Sequence, residues 1–371
     1  MIINKKSAQT IFKSIFYKLF KIIYGNINGI ISAKDNDEIE IKNIQKNNGI
    51  NYKVYKIKNA RLYTDRIQDT AIIKKNFLIR EPSFQYRNIN SEVIKVDAED
   101  NIIFLKGTPR ILKKTKGKVL SLLTGGGGNK NYWHWIFDVL PRLHLCEKMI
   151  DLNDIDYFLL PDNDENFQKE TLKILKIPEK KQISSRNFRH ISSDEIFVTD
   201  HPSVLINNAT LGNQNMPSWI SNWLKEKFIN INKDDNKQLY KKVYIDRGDS
   251  KSNVAHLRSI INEEEIREFL VNKGFNLIKL AEMRFEEQVK AFSNADIIIG
   301  LHGAGFANLV FCKTGTKVIE LKNINSGKVI ENLAKTNHLN YSYIDGDQIG
   351  SKLKNQQGHI FISTKDLENR L

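Results

Sequence analysis

The chain has 371 residues, 40% of them hydrophobic and 27% charged, with only seven prolines, which describes a globular protein of two ordinary domains and excludes long linkers. A formal charge of +14 calls for an anionic partner, but no aromatic-flanked Lys/Arg cluster accompanies it, which argues against nucleic acid. Cys146 and Cys312 stand too far apart in sequence to indicate a disulfide framework or a thiolate metal site, in keeping with a reducing compartment.

The first thirty residues carry five lysines and no acid. Ile11, Phe12, Ile15, Phe16, Leu19, Phe20 and Ile23 repeat at helical spacing and predict a basic amphipathic helix over residues 1–30. Lys13, Lys18 and Lys21 interrupt the apolar pattern, so it is neither a bilayer-spanning segment nor a secretion-signal core. Residues 1–25 either lie in an anionic membrane interface or pack on their own protein. Between Lys34 and Lys118, β-type runs at Tyr52–Ile57, Ala71–Ile73, Val93–Val96 and Asn101–Leu105 predict a short β-rich segment with no nameable chemistry.

At Val119–Leu123 a buried-strand run leads into Gly125–Gly128 and then an aromatic-rich helical pattern, Tyr132–Lys148, which Pro141 kinks or restarts. His134 and Asp138 stand four apart and share a helix face, as a general base with its orienting carboxylate or as a structural pair. Further on, Tyr157–Leu160 and Glu195–Thr199 read as strands, and Phe167–Leu175 and Ser218–Phe228 as helices. Asp162 and Asp164 after a strand could hold Mg²⁺ or Mn²⁺ on a diphosphate, and Asp345 with Asp347 is a weaker case, although two-acid turns are common in solvated loops.

The second half alternates strand and helix: Val243–Asp246, Asn262–Lys273, Phe275–Leu280, Arg284–Asn294, Asp296–Phe311 and Lys317–Leu321. That pattern predicts a doubly wound parallel sheet with its ligand beyond the carboxyl ends of the strands. Asn262 with Glu265 reads as a capping box and Gly274 as a helix C-cap. In DIIIGLHGAGFANLVF, Gly300, Gly303 and Gly305 permit positive φ and close approach, so the amides opening the next helix can face a phosphate, with the His302 imidazole as a further donor. The structural alternative is a sharp strand-to-helix turn. Arg247 and Arg258 could neutralise a diphosphate, and Glu320 at a strand end could accept from ribose hydroxyls.

The motifs GGGGNKNYWHWIFDVLPRL, YIDRGDS with LRSIINEEE, and IIIGLHGAGFANLVFCKTGTKVIEL together strongly resemble glycosyltransferase family 61, in motif order and spacing over roughly Val119–Leu321. The resemblance implies an α/β, GT-B-like fold, two Rossmann-like domains facing across a cleft. Its parts are then a helix at 1–30, an acceptor-side domain at 31–232 and a nucleotide-sugar-binding domain at 233–371. It also implies an inverting, metal-independent transferase that moves sugar from a nucleotide-sugar, of the UDP class, to a glycan or lipid-linked glycan. Bacterial capsule and surface-polysaccharide enzymes are among the family's members; the lack of a secretion signal and of disulfides sets the expected reaction in a cytoplasm, and the amphipathic N-terminus sets it at the inner membrane face. The implied catalytic residues are His134 and Asp138. Donor binding falls to Arg247, Arg258, His302, Gly303, Ala304, Gly305, Asn308 and Glu320, and the acceptor-side loop to Gly126, Gly127, Asn131 and Trp133. No metal or cofactor is expected. A non-catalytic nucleotide-sugar or glycan-binding subunit of a membrane-associated assembly is the alternative.

Overall fold

Alternating apolar positions make Asn51–Thr64 a fourteen-residue strand and the spine of the first of two units in this computed structural model. The structure describes residues 5–45, 49–64, 70–89, 92–126, 130–203, 216–229, 240–248, 258–349 and 358–371. The first unit comprises residues 1–130, 134–163 and 177–212, and the second residues 131–133, 164–176 and 213–371. The boundary expected at 232–233 lies outside the described residues.

The first unit is built on a mixed sheet. Its path runs Gly29–Ile31, Phe77–Ile79, Thr70–Lys74, Asn51–Thr64, His190–Thr199, Lys118–Ser121, Tyr157–Leu160, Gln182–Ser184. From His190–Thr199 onward neighbours are parallel, with Ile196 opposite Val119 and Leu159 opposite both Ser121 and Ile183. Asn51–Thr64 joins that half antiparallel, Ile57 opposite Ile196. The sheet is therefore mixed, and not the all-parallel sheet expected of a Rossmann-like domain. The reason is local: Lys74 and Phe77 pair across a two-residue turn in which Lys75 and Asn76 both take positive φ (46° and 63°), and so short a connection permits only an antiparallel neighbour. Ile57, Leu62, Val119, Leu159 and Ile196 form the core against this sheet. Asn101–Leu105, expected as a β-run, instead leads into a short helix, Ile103–Lys106, because the Asn101 carboxamide accepts from the Ile103 amide at 3.1 Å and opens a helical turn.

The second unit contains a five-stranded, all-parallel sheet ordered Asn276–Ile278, Lys242–Ile245, Ile297–Leu301, Lys317–Lys322, Asn340–Asp345. Numbered along the chain this is 2-1-3-4-5, a doubly wound order whose switch point lies between Lys242–Ile245 and Ile297–Leu301. The expected helices are present as Asn166–Ile174, Ser218–Phe228, Glu263–Asn272 and Phe285–Asn294. Phe228, Phe285 and Phe311 pack edge to face with centroids 4.9–6.3 Å apart. Gly274 has the positive φ (80°) of a C-cap. Asn262 does not cap with its side chain: its carbonyl oxygen accepts from Ile362 N at 3.1 Å, tying the helix start to a small sheet of Arg258–Ile260, Gly358–Phe361 and Asp347–Ile349.

Two details of the glycine motif differ from expectation. The segment after it is a 3-10 helix, Ala304–Phe311, and Gly300, Gly303 and Gly305 are not among the glycines with left-handed φ; Gly303 is extended at φ 171°. They are small because of what they pack against. A Cβ at Gly300 would stand 3.0 Å from Ile245 Cβ, and one at Gly305 2.7 Å from Leu280 Cδ1. Gly300→Ala therefore forces the two strands at the switch point apart, and overpacking of this kind costs about 1–3 kcal/mol. A lowered denaturant midpoint is expected; an unchanged one would show that the strands yield freely.

Candidate functional site

In the first unit the site is built on a break in helical regularity. Pro141 has no N–H to offer the Phe137 carbonyl and its ring crowds that carbonyl, so the turn before it widens. Tyr132–His134 is α-helical, Trp135–Val139 is a π-turn closed by Leu140 N to Trp135 O (3.1 Å), and Pro141–Cys146 resumes the α-helix. Across this turn His134 Nδ1 lies 2.6 Å from Asp138 Oδ2, with the imidazole 37% exposed and the carboxylate 6%. An ionised carboxylate only accepts, so the imidazole carries its proton on Nδ1 and presents the lone pair of Nε2 outward.

Asp138 is held on its other side by Ser203, which helical spacing gives no sign of, and at its carbonyl by Arg142, four residues on. Ser203 Oγ donates to Oδ1, and since its one proton is used there, His201 Nδ1 at 3.4 Å is the donor to Ser203 Oγ. Arg142, wholly buried, donates from Nε to the Asp138 carbonyl and from Nη2 to the Gly126 carbonyl, both at 2.7 Å. One guanidinium thus joins the π-turn to the glycine loop. Tyr86, from the segment without nameable chemistry, meets the His201 ring edge-on at 6.0 Å. Burial opposes every charge here. It pushes His201 down to about 3, so that ring is neutral at ordinary pH. Asp138 is nevertheless driven to about 2, against burial, by the neighbouring imidazoles and the Ser203 hydroxyl; with His201 neutral, His134 and Ser203 carry that effect at neutral pH. His134 is raised, because the Asp138 hydrogen bond and charge outweigh burial.

In the second unit the expected cationic residues come together at the switch point. Arg247 Nη1 and Arg258 Nη1 both donate to the His302 carbonyl, at 3.3 and 2.9 Å. A Cβ on Gly303 would lie 3.4 Å from Arg247 Nη1, so the missing side chain leaves that guanidinium its place. The first hydrogen bond of the 3-10 helix runs from Phe306 N to the Gly303 carbonyl at 3.2 Å, so the amides of Ala304 and Gly305 precede the helix's own ladder. Arg258 is pushed down to about 10, first by burial and then by the charge of Arg247. Asp246, just before Arg247, accepts from Arg267 Nη2 and from Gly248 N, both at 2.7 Å, and fixes the turn that carries Arg247. Arg258 begins the strand Arg258–Ile260.

Other expected ligand residues are internal. Glu320 is fully buried, with one oxygen on His302 Nδ1 and the other on the Tyr341 hydroxyl, so it holds His302 in place and does not reach a ribose. The His302 ring is 4% exposed, and its backbone carbonyl is the part that gathers the arginines. Asn308, fully buried, accepts from Tyr132 OH at 2.6 Å and donates to Gln288 at 3.0 Å, which makes it a framework residue. Asn131 is exposed and accepts from Trp133 N at 2.9 Å, opening the helical segment, while Trp133 is buried. Gly126 takes positive φ (108°); Gly127 lies outside the described residues. Asp162 is bonded to Arg186 at 2.6 Å.

Asp138, with its lowered value, contributes stability above the ordinary carboxylate pKa and loses it as pH falls toward about 2. Ser203→Ala removes a donor from this carboxylate, at a cost of about 1–3 kcal/mol. Acid unfolding of the variant is expected to begin at higher pH than in the parent; superimposable acid transitions would contradict the role assigned to Ser203.

Residues 132–319, just over half of the chain, match the family model described as Glycosyltransferase 61. A stretch of 89 residues is 32% identical to the EGF domain-specific O-linked N-acetylglucosamine transferase of Gallus gallus, covering 23% of this chain and 17% of that protein. Another of 75 residues is 35% identical to the Beta-1,2-xylosyltransferase of Arabidopsis thaliana, 17% of this chain and 14% of that protein. The matched stretches thus span less than a fifth of either relative. The family match takes in His134, Asp138, Arg247, Arg258, His302 and Gly303, and the chain belongs to the glycosyltransferase 61 family.

Proposed function

We propose that the chain is an inverting glycosyltransferase that moves a sugar from a nucleotide-sugar of the UDP class to a hydroxyl of a glycan or lipid-linked glycan, in capsule or cell-surface polysaccharide synthesis at the cytoplasmic side of a membrane. The observation that carries this reading is the gathering of two guanidiniums on one carbonyl, beside the opening amides of Ala304–Phe311, at the switch point of a doubly wound sheet. Two cations that repel each other at a helix start suit a dianionic leaving group. Family membership supplies the reaction class, and both named relatives are transferases of sugars by their names.

The chemistry is one displacement. His134 Nε2 takes the proton of the acceptor hydroxyl, and Asp138 holds the ring and stabilises the imidazolium that forms. The acceptor oxygen bonds to the anomeric carbon from the face opposite the diphosphate. The carbon–oxygen bond to the diphosphate breaks, its electron pair leaves with the phosphate oxygen, and the configuration inverts. Arg247, Arg258 and the Ala304 and Gly305 amides offset the charge that develops on the leaving group. No metal enters this scheme. Asp138 acting as the base itself is the variant of the same mechanism.

The experiment needs no knowledge of the acceptor. UDP, GDP and CMP are titrated calorimetrically and by thermal shift in the presence of a chelator; a nucleotide that binds the native chain raises its melting temperature. Binding of UDP is expected without metal. Arg247→Ala with Arg258→Ala should weaken it by about 1.5–3 kcal/mol for each charge-assisted bond lost. His134→Ala with Asp138→Ala should leave nucleotide binding intact and reduce sugar transfer by about 10²–10⁴-fold. If no nucleotide binds, the donor site falls; if transfer survives the double substitution, the assigned base is wrong.

A further inference from the structure

The helix Lys5–Tyr24 turns an apolar stripe to solvent. Ile11, Phe12, Ile15, Leu19, Ile22 and Ile23 are between 50% and 82% exposed. At about 100° per residue these six positions fall within an arc of about 120°. The other side of the helix is seated on the first unit. Phe20 is buried, the Tyr24 hydroxyl accepts from Leu112 N at 2.9 Å, its ring meets that of His190 edge-on at 4.9 Å, and Lys21 donates to the Phe104 carbonyl at 3.4 Å. The helix is therefore fixed along one side while the apolar stripe stays outside.

The segment to which it is tied continues the same chemistry. Leu105 is 75% and Ile111 76% exposed, and Lys113, Lys114 and Lys116 beside them are exposed. No acid occurs from residue 1 to 34 or from 101 to 117. Lys13 and Lys18 stand exposed within the helix itself. Apolar side chains accompanied by lysines, in stretches of sequence without an acid, fit one surface above others, a bilayer with anionic headgroups, into which such a stripe sinks while the lysines meet phosphate. A second copy of this face would set lysines against lysines. No described helix is long and apolar enough to cross a membrane, so the contact is with the interface.

We propose that the Lys5–Tyr24 helix, with Leu105 and Ile111, docks this chain onto an anionic lipid bilayer surface. The inference stands apart from the transferase reading, since it depends on neither the His134 site nor the Arg247 site. The test is co-sedimentation of the full chain with vesicles of phosphatidylcholine alone or mixed with phosphatidylglycerol. Binding to the mixed vesicles, weakened by salt, is expected. Phe12→Asp with Ile15→Asp should lower partition at least tenfold with no change in melting temperature, both side chains being exposed. Lys13→Glu with Lys18→Glu should reduce the preference for phosphatidylglycerol, on the order of fivefold for each lysine lost. Equal partition of the parent and the Phe12/Ile15 variant would overturn the proposal. So would a parent dimer in sedimentation velocity that only this variant dissolves, which would assign the stripe to a second copy.

Discussion

A carboxylate inside a protein needs hydrogen-bond partners around it, and this chain sets a histidine against one in each of its two units. Asp138 holds His134 at 2.6 Å, and Glu320 holds His302. Removing one partner from such a buried pair strands the other, at a cost of about 3–5 kcal/mol. The two pairs differ in where the imidazole ends up. The His134 ring is 37% exposed, whereas the His302 ring is 4% exposed and closed off from solvent. The same pairing thus leaves a partly exposed imidazole in one unit and a fixed backbone carbonyl in the other.

That carbonyl matters because of what it collects. Arg247 and Arg258 share it, although Arg247 lowers the affinity of Arg258 for its own proton. Two guanidiniums held this close repel each other, and the repulsion is one that an anion would relieve. Asp246 and Arg267 fix the turn before Arg247, and Gly303 keeps clear of its guanidinium. On the other side, Arg142 joins the π-turn to Gly126, and Ser203 holds the second oxygen of Asp138. Both clusters are therefore held in place by buried side chains around them.

The periodicity of the second half made its parallel sheet legible, because strands buried on both faces read as continuous apolar runs and its helices begin and end at recognisable signals. The pairing of His134 with Asp138 was legible as well, by helical spacing, and so was the place of Arg247 after a strand. The burial of Glu320 and Asn308 was not legible, because nearness to a glycine motif says nothing about which way a side chain faces, and both face inward. The glycines were credited with backbone freedom when their purpose is close packing against Ile245 and Leu280. Ser203 and His201 had no signal at all: they lie more than sixty residues from Asp138 in sequence and meet it only through the sheet that carries them. The antiparallel half of the first sheet was half visible, as β-runs without a partner.

The central claim is that Asp138 orients and charges His134. The most direct measurement is a pH titration of the His134 imidazole by NMR, in the parent chain and in Asp138→Asn. His134 is expected to titrate above the ordinary histidine value of about 6.5 in the parent. In the variant it should fall below its parent value, since burial remains while the carboxylate is gone. A His134 that titrates at or below the ordinary value in both proteins would mean that the pair is not coupled, and the base would have to be sought elsewhere.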